Sequence, residues 1–173
     1  MTRTGTWRAA STHTSDEIAK LRALLKGIHS AMLITTDLHD RPCSRPMVAL
    51  DASDDTGDLW FIARDGSSTV SDIRARADVV LHYFDPDSHR FIAVTGRAHV
   101  HRDAARVHVM WHPSLSGAFP TGPDDPSIVL IHVNVDQADC WDSPEAPVQT
   151  LHFVKPVATI ERRTGPRGTL YLH

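Results

Sequence analysis

The run LWFIARDGSSTVSDIRARADVVLHYFD, residues 59–85, passes from one apolar strand through a glycine turn and a hydroxyl-rich helix start into a second apolar strand. LWFIA (59–63) has strand length and no internal breaker. Asp65 and Gly66 end it. Ser67, Ser68, Thr69 and Ser71 then crowd the start of a helix over 69–76, and VVLHYFD (79–85) resumes the strand pattern. Thr69 and Asp72 have the spacing of a capping box, so local capping accounts for the hydroxyls. The same stretch also suits an anion, because a helix N-terminus offers unpaired N–H groups and a partial positive charge. Arg64 beside it could add a charge-assisted contact. Both readings stay open on these residues alone.

Upstream, AMLITTD (31–37) and SRPMVALD (44–51) read as strands joined by the turn LHDRP (38–42). The loop DASDDTGD (51–58) leads into LWFIA. Thr14 and Glu17 could cap a first helix, whose apolar face would be Ile18, Leu21, Leu24, Leu25 and Ile28. Downstream, PDSH turns the chain into the long strand RFIAVTGRAHVHR (90–102). Asp103 is placed to cap a helix over 104–111. PSLSGAFPTGPDDP (113–126), with four prolines, is a long loop of the kind that often carries function. SIVLIHVNVDQADCWDS (127–143) is a sixth long strand, and TLHFVKPVATI (150–160) adds a strand or an arm. Many hairpin-linked strands with isolated helices predict a mainly β fold, an antiparallel barrel with flanking helices. No GxGxxG follows a strand, which argues against a dinucleotide-binding α/β fold.

At 173 residues, 41% hydrophobic and 23% charged, the chain has the size and composition of one globular domain. Its net charge of −3 argues against a general nucleic-acid binder. No apolar run suggests a signal peptide or a membrane span. Cys43 and Cys140 are far apart and form no CxxC, so a reduced, cytoplasmic protein is expected. Residues 1–13 read as a flexible arm, 14–147 as the barrel domain and 148–173 as a C-terminal extension.

Arg45 enters an apolar strand and needs an anionic partner. That partner could be Asp51 or Asp54 at the barrel rim, or a ligand. Pro46 beside it removes a ladder donor, which suits an edge or a ligand-facing section. Twelve histidines are many for this length. His99 and His101 alternate on a strand, and His108 and His112 have i, i+4 spacing, yet no HExxH or nearby cysteine completes a ligand set. Surface histidines are the expectation, with no metal site. There is no GxSxG either.

Taken together, the order of SRPM, LWF, the hydroxyl turn, VLHYFD, TGRA, GPDDP and ADCWDSP, over residues 15 to about 145, resembles the general stress protein 26 branch of the pyridoxamine 5′-phosphate oxidase-like, FMN-binding split-barrel proteins. The resemblance implies an antiparallel split β-barrel that forms a homodimer with FMN in two interface clefts. The isoalloxazine would lie along Arg45, Pro46 and Met47, with Phe61, Ile62 and Ala63 lining the ribityl chain. The phosphate would sit at Ser67, Ser68 and Thr69, and the partner would contribute Thr95, Arg97 and the proline-rich loop. It also implies a flavin-dependent oxidoreductase acting on a small molecule, with NAD(P)H a candidate reductant. A non-catalytic FMN carrier or stress protein, or a barrel that has lost flavin and serves as a dimeric interaction module, are the alternatives; a deazaflavin is the other candidate cofactor. The chain departs from the family pattern twice: Thr69 stands where the turn usually has lysine, and Ala118-Phe119-Pro120 replaces Trp-Phe-Pro.

Overall fold

The computed structural model describes residues 15–50, 56–141 and 147–152. Seven strands among these residues make one antiparallel sheet: β1 (Ser30–Thr36), β2 (Pro42–Val48), β3 (Leu59–Arg64), β4 (Asp78–Asp85), β5 (Arg90–His101), β6 (Ile128–Trp141) and β7 (Gln149–His152). The strand order is β2-β1-β4-β5-β6-β3, with β7 also on β6. The Leu50 N–H donates to the Trp60 carbonyl at 3.3 Å. That bond brings the chain leaving β2 onto β3, so the two ends of the sheet meet and close a barrel. The architecture is the mainly β split barrel with flanking helices that the sequence predicts. No helix among the described residues is long and apolar enough to cross a membrane.

Among the described residues, three helices flank the barrel: α1 (Ser15–Leu25), α2 (Ser68–Ala75) and α3 (Ala104–Met110). Leu21 of α1 and Val70 and Ile73 of α2 join Leu33, Phe61, Leu81 and Val94 in the barrel core. A second cluster lies on the other face of β3 and β6. There Trp60, Ile62 and Leu130 pack against Val107 of α3 and against Leu115 and Phe119 of the proline-rich loop. Strand β3 is therefore covered on both faces, which is why its sequence reads as a continuous apolar run rather than an alternation.

Most boundaries fall within two residues of the sequence reading, as helix and strand ends commonly do. The first helix ends at Leu25, a turn earlier than its apolar stripe suggested, with Gly27 at φ +83 behind it. His112 lies outside α3 and caps a short 3₁₀ turn over Pro113–Gly117, so His108 and His112 do not share a helix face. The proline-rich loop also holds a 3₁₀ turn at Gly122–Asp124. Gln149–His152 pair with β6, which puts the start of the stretch beyond residue 148 inside the sheet. Thr14, Asp51, Asp54 and residues 153–173 lie outside the described residues, as do the readings made for them.

Strand β6 is shared among three partners. Its first half pairs with β3 and its second half with β7, while β5 runs along nearly all of it. The β5–β6 register slips between Thr95 and Gly96, where Asp136 is the extra residue. The backbones close in at that bulge. A Cβ on Gly96 would sit 3.1 Å from the Asn134 carbonyl carbon and from Val133 Cγ1, and closer still to the Asn134 oxygen. Only glycine fits there without moving backbone. Gly96→Ala is therefore expected to destabilise the fold by roughly 1–3 kcal/mol, the usual cost of overpacking. A thermal melt reads this as a midpoint several degrees lower.

Asp58 at the start of β3 ties the same region together. Its carboxylate lies 2.8 Å from His132 Nε2 and accepts from Asn134 Nδ2 at 3.1 Å. Burial pushes the Asp58 carboxyl up, but His132, Thr56 and Asn134 outweigh it, and the net shift is downward. In the proline-rich loop, the Ser127 and Thr121 hydroxyls and the Ser127 N–H hold Asp125 at about 2. A carboxyl depressed in the folded state stabilises fully above its unfolded value of about 4 and loses that contribution as pH falls through the folded value. The melting midpoint is therefore expected to fall between about pH 4 and pH 2. Asp58→Asn should lower the midpoint at neutral pH and flatten its acid dependence, and melts across that range check both effects.

Candidate functional site

The hydroxyl turn is built by three separate constraints. Gly66 adopts φ +82, a conformation open to glycine, and the Ser67 N–H bonds back to the Arg64 carbonyl at 3.1 Å. Ser67 then acts as the N-cap of α2, its hydroxyl accepting from the Val70 N–H at 3.4 Å. Asp65, just before the glycine, takes Arg74 of α2 at 2.9 Å and Arg102 from the end of β5. Those two guanidiniums, Arg74 above all, draw the Asp65 carboxyl below its usual range. The turn is thus pinned to both the helix and the long strand.

This corrects the capping-box reading. The cap is Ser67, not Thr69, and Asp72 is turned into the protein, where it accepts from the buried Thr35 hydroxyl at 2.8 Å. Thr69 is only 4% exposed. Its side chain belongs to the barrel side of α2, so its hydroxyl does not stand in for a lysine reaching toward solvent.

Arg45 meets the turn from the facing strand. It pairs with Leu33 across β1 and β2, so its side chain shares the barrel-facing side of the sheet. From there its Nη2 donates to Ser68 Oγ at 2.8 Å. Two residues far apart in sequence, both read as anion-binding candidates, are thus brought together. The first N–H groups of α2 have no acceptor within the helix. A guanidinium, the Ser68 hydroxyl and these N–H groups make a compact donor set suited to a phosphate.

The other candidates divide. Met47 faces inward and packs on the core, whereas Pro46, opposite the exposed Met32, lies on the outer face. Phe61 and Ala63 are buried in the barrel core and Ile62 in the second cluster. Their side chains are therefore spent on packing, and only their backbone is left to line a ligand. Arg64 turns toward the proline-rich loop, donating to Ser127 Oγ at 3.0 Å and to the Ala118 carbonyl at 2.5 Å, with its guanidinium over the Phe119 ring. It anchors the loop rather than the donor set at Ser68. Thr95 and Arg97 are exposed on the outer face of β5, away from the Arg45–Ser68 contact.

The histidines form a group that sequence spacing only half showed. His99 and His101 do share a face, but His132 of β6 joins them, its ring stacked on Trp60 at 4.1 Å. The Arg106 guanidinium lies over Trp60 as well. Burial first, then the nearby His132, His99 and Arg106, lower the His101 pKa. Strand alternation marked the pair on β5; the third member came from strand pairing, which spacing along the chain does not reveal. His108 meets Asp124 and His112 meets Ser114, each at 2.8 Å.

A family model for "Pyridoxamine 5'-phosphate oxidase like" proteins matches residues 16–163. Among solved structures, the general stress protein 26 from Bacillus anthracis is 23% identical, with a TM-score of 0.64 over 80% of this chain and 97% of that one. A general stress FMN/FAD binding protein from Xanthomonas citri is 22% identical, with a TM-score of 0.61 over 88% of this chain and all of that one. A pyridoxamine 5′-phosphate oxidase-related, FMN binding protein from Nostoc punctiforme is 19% identical, with a TM-score of 0.55 over 86% of this chain and 91% of that one. No curated protein matches the chain. The closed antiparallel barrel, the pinned turn at its side and the family match over most of the length agree: the chain belongs to the pyridoxamine 5′-phosphate oxidase-like family.

Proposed function

We propose that the chain binds FMN, assembles as a homodimer and acts as a flavin-dependent oxidoreductase on a small molecule. The observation that carries this reading is the Arg45–Ser68 contact at the start of α2. It gathers the donors a flavin phosphate requires without the lysine that Thr69 replaces. The positive charge falls to Arg45, since Arg64 is held by the loop. The names of the Xanthomonas and Nostoc relatives, as FMN/FAD-binding and FMN-binding proteins, support the choice of ligand. Bound flavin supplies the two-electron chemistry; the chain's residues bind and orient it. The groups gathered at the α2 start, a guanidinium, a hydroxyl and backbone N–H groups, account for binding a phosphate and not for a reaction. The second reading is therefore an FMN-binding protein without turnover.

The outer face supports the dimer. Met32, Phe84, Phe91 and Trp141 are all exposed there, Phe91 by 54% and Phe84 by 45%. Phe84 and Phe91 pair across β4 and β5 with rings 4.6 Å apart, and Trp141 lies opposite Phe91 on β6. An exposed apolar stripe of this kind supports the reading of an interface. Thr95 and Arg97 lie exposed on this same face, which supports their reaching a neighbouring chain's cleft.

Purified protein titrated with FMN is expected to bind one flavin per chain, read by flavin fluorescence. Arg45→Ala should weaken binding by roughly tenfold or more, the scale of a lost hydrogen bond to a charged group. Unchanged affinity would move the phosphate elsewhere, and a protein that binds no FMN would leave the dimeric module. Consumption of NAD(P)H with an acceptor separates the oxidoreductase from the carrier. Phe91→Asp should convert dimer to monomer in light scattering after gel filtration, and an unchanged mass would place the interface on another face.

A further inference from the structure

Among the described residues, two side-chain hydrogen bonds tie α2 to β1 and β2. At the helix start, Arg45 Nη2 of β2 donates to Ser68 Oγ at 2.8 Å. One helical turn further on, Thr35 Oγ1 of β1 donates to Asp72 Oδ2, also at 2.8 Å. The sheet residues share one face: Leu33 pairs with Arg45, and one pleat along Thr35 pairs with Cys43. The spacings match, since four helix residues rise about 6 Å and two strand residues about 7 Å. The bonds are therefore two rungs between the same helix and the same pair of strands. Their surroundings differ. Ser68 is exposed and Arg45 half-buried, whereas Thr35 is 1% and Asp72 7% exposed.

We infer that Thr35 and Asp72 are positioning residues for the anion site at the α2 start: their buried bond fixes the helix on the sheet, so that the exposed bond is free to open to a ligand. On the FMN reading, on which this rests, an incoming phosphate takes the Arg45 guanidinium and the Ser68 hydroxyl from each other. The outer rung is then lost as a tie. The first N–H groups of α2 must still converge on the anion, so the helix has to keep its place. Val70 and Ile73 pack α2 on the core, but apolar contact is non-directional and sets no register. Asp65 holds the preceding turn to Arg74 and to Arg102 at the end of β5, not to the strand that carries Arg45. The Thr35 hydroxyl does set the register, because a hydrogen bond is directional and is strengthened where water is excluded. Both residues act through the helix rather than on the ligand.

Fluorescence titrations of the full chain with FMN and with riboflavin, which lacks the phosphate, test the role. Thr35→Val removes the donor at nearly constant volume. It should weaken FMN by about fivefold or more, the scale of one lost hydrogen bond, and leave riboflavin unchanged. Thr35→Ser keeps the hydroxyl and should restore FMN affinity. Thr35→Val combined with Asp72→Leu removes both partners and leaves no buried acceptor unpaired, so it serves where the single variant fails to melt cooperatively. It should show the same loss of FMN. Unchanged FMN affinity in either folded variant, or an equal loss of FMN and riboflavin, overturns the positioning role. A loss in Thr35→Ser as large as in Thr35→Val overturns the part given to the hydroxyl. A wild-type chain that binds no flavin, or binds FMN no better than riboflavin, overturns the phosphate reading itself and this role with it.

Discussion

The close approach of Gly96 to the Asn134 carbonyl is the constraint on which the rest of the structure depends. At that point one residue is added to β6 and the strand changes partners. The bulge lies between the β3-paired and the β7-paired stretches of that strand. The first half of the strand reaches β3 and the second half reaches β7. The barrel closes through β3, and β7 continues along the same edge of β6, opposite the edge that β5 occupies. Residues Thr95 and Gly96 sit where the register slips, so the TGRA segment has a structural duty independent of any ligand.

The same partner change divides the outer surface in two. On the β3 side, α3 and the proline-rich loop cover the sheet, and the Trp60–His132 stack and Asp58 are closed in behind Arg106. On the β4–β5 side no helix among the described residues covers it, and the aromatic stripe of Phe84, Phe91 and Trp141 is exposed. The division also separates the candidate ligands' surroundings: Arg45 and the α2 start look inward, while Thr95, Arg97 and Pro46 look out.

Much of this was legible in the sequence because it depends on local pattern. Strand lengths, the glycine turn at Gly66 and the Asp103 cap follow from residue type and period, and each stands where the pattern puts it. The identity of the α2 cap did not follow. Ser67 and Thr69 both have acceptable spacing, and the choice is made by Thr35 on β1, which draws Asp72 into the interior and leaves Thr69 facing the core. Arg64 was misdirected for a similar reason. Its sequence neighbours suggest an anion at the turn, but the nearest acceptors in space are Ala118 and Ser127, more than fifty residues along the chain. His132 and the space beside α1 were not visible at all, since both arise from strand pairing and helix docking. Local chemistry is written in residue order; partner choice between distant segments is not.

Strand β2 shows how a short pattern can serve two environments. Its barrel-facing positions run from the polar Cys43 and Arg45 to Met47, and the chain continues to Ala49 and Leu50. Arg45 is tolerated on a core-facing position because it lies at the open end, where its guanidinium reaches the α2 start instead of the apolar interior. Met47, one pleat further on, is the flexible side chain that fills the transition. Ala49 is small enough to leave the space bounded by α1 and Tyr83. Polarity therefore falls along one face of one strand, from the guanidinium of Arg45 to an apolar end. Enlarging Ala49 would close the far end without touching the near one, and neutralising Arg45 would do the reverse. The packed core around Met47, Leu33 and Phe61 stands between these two ends of the strand.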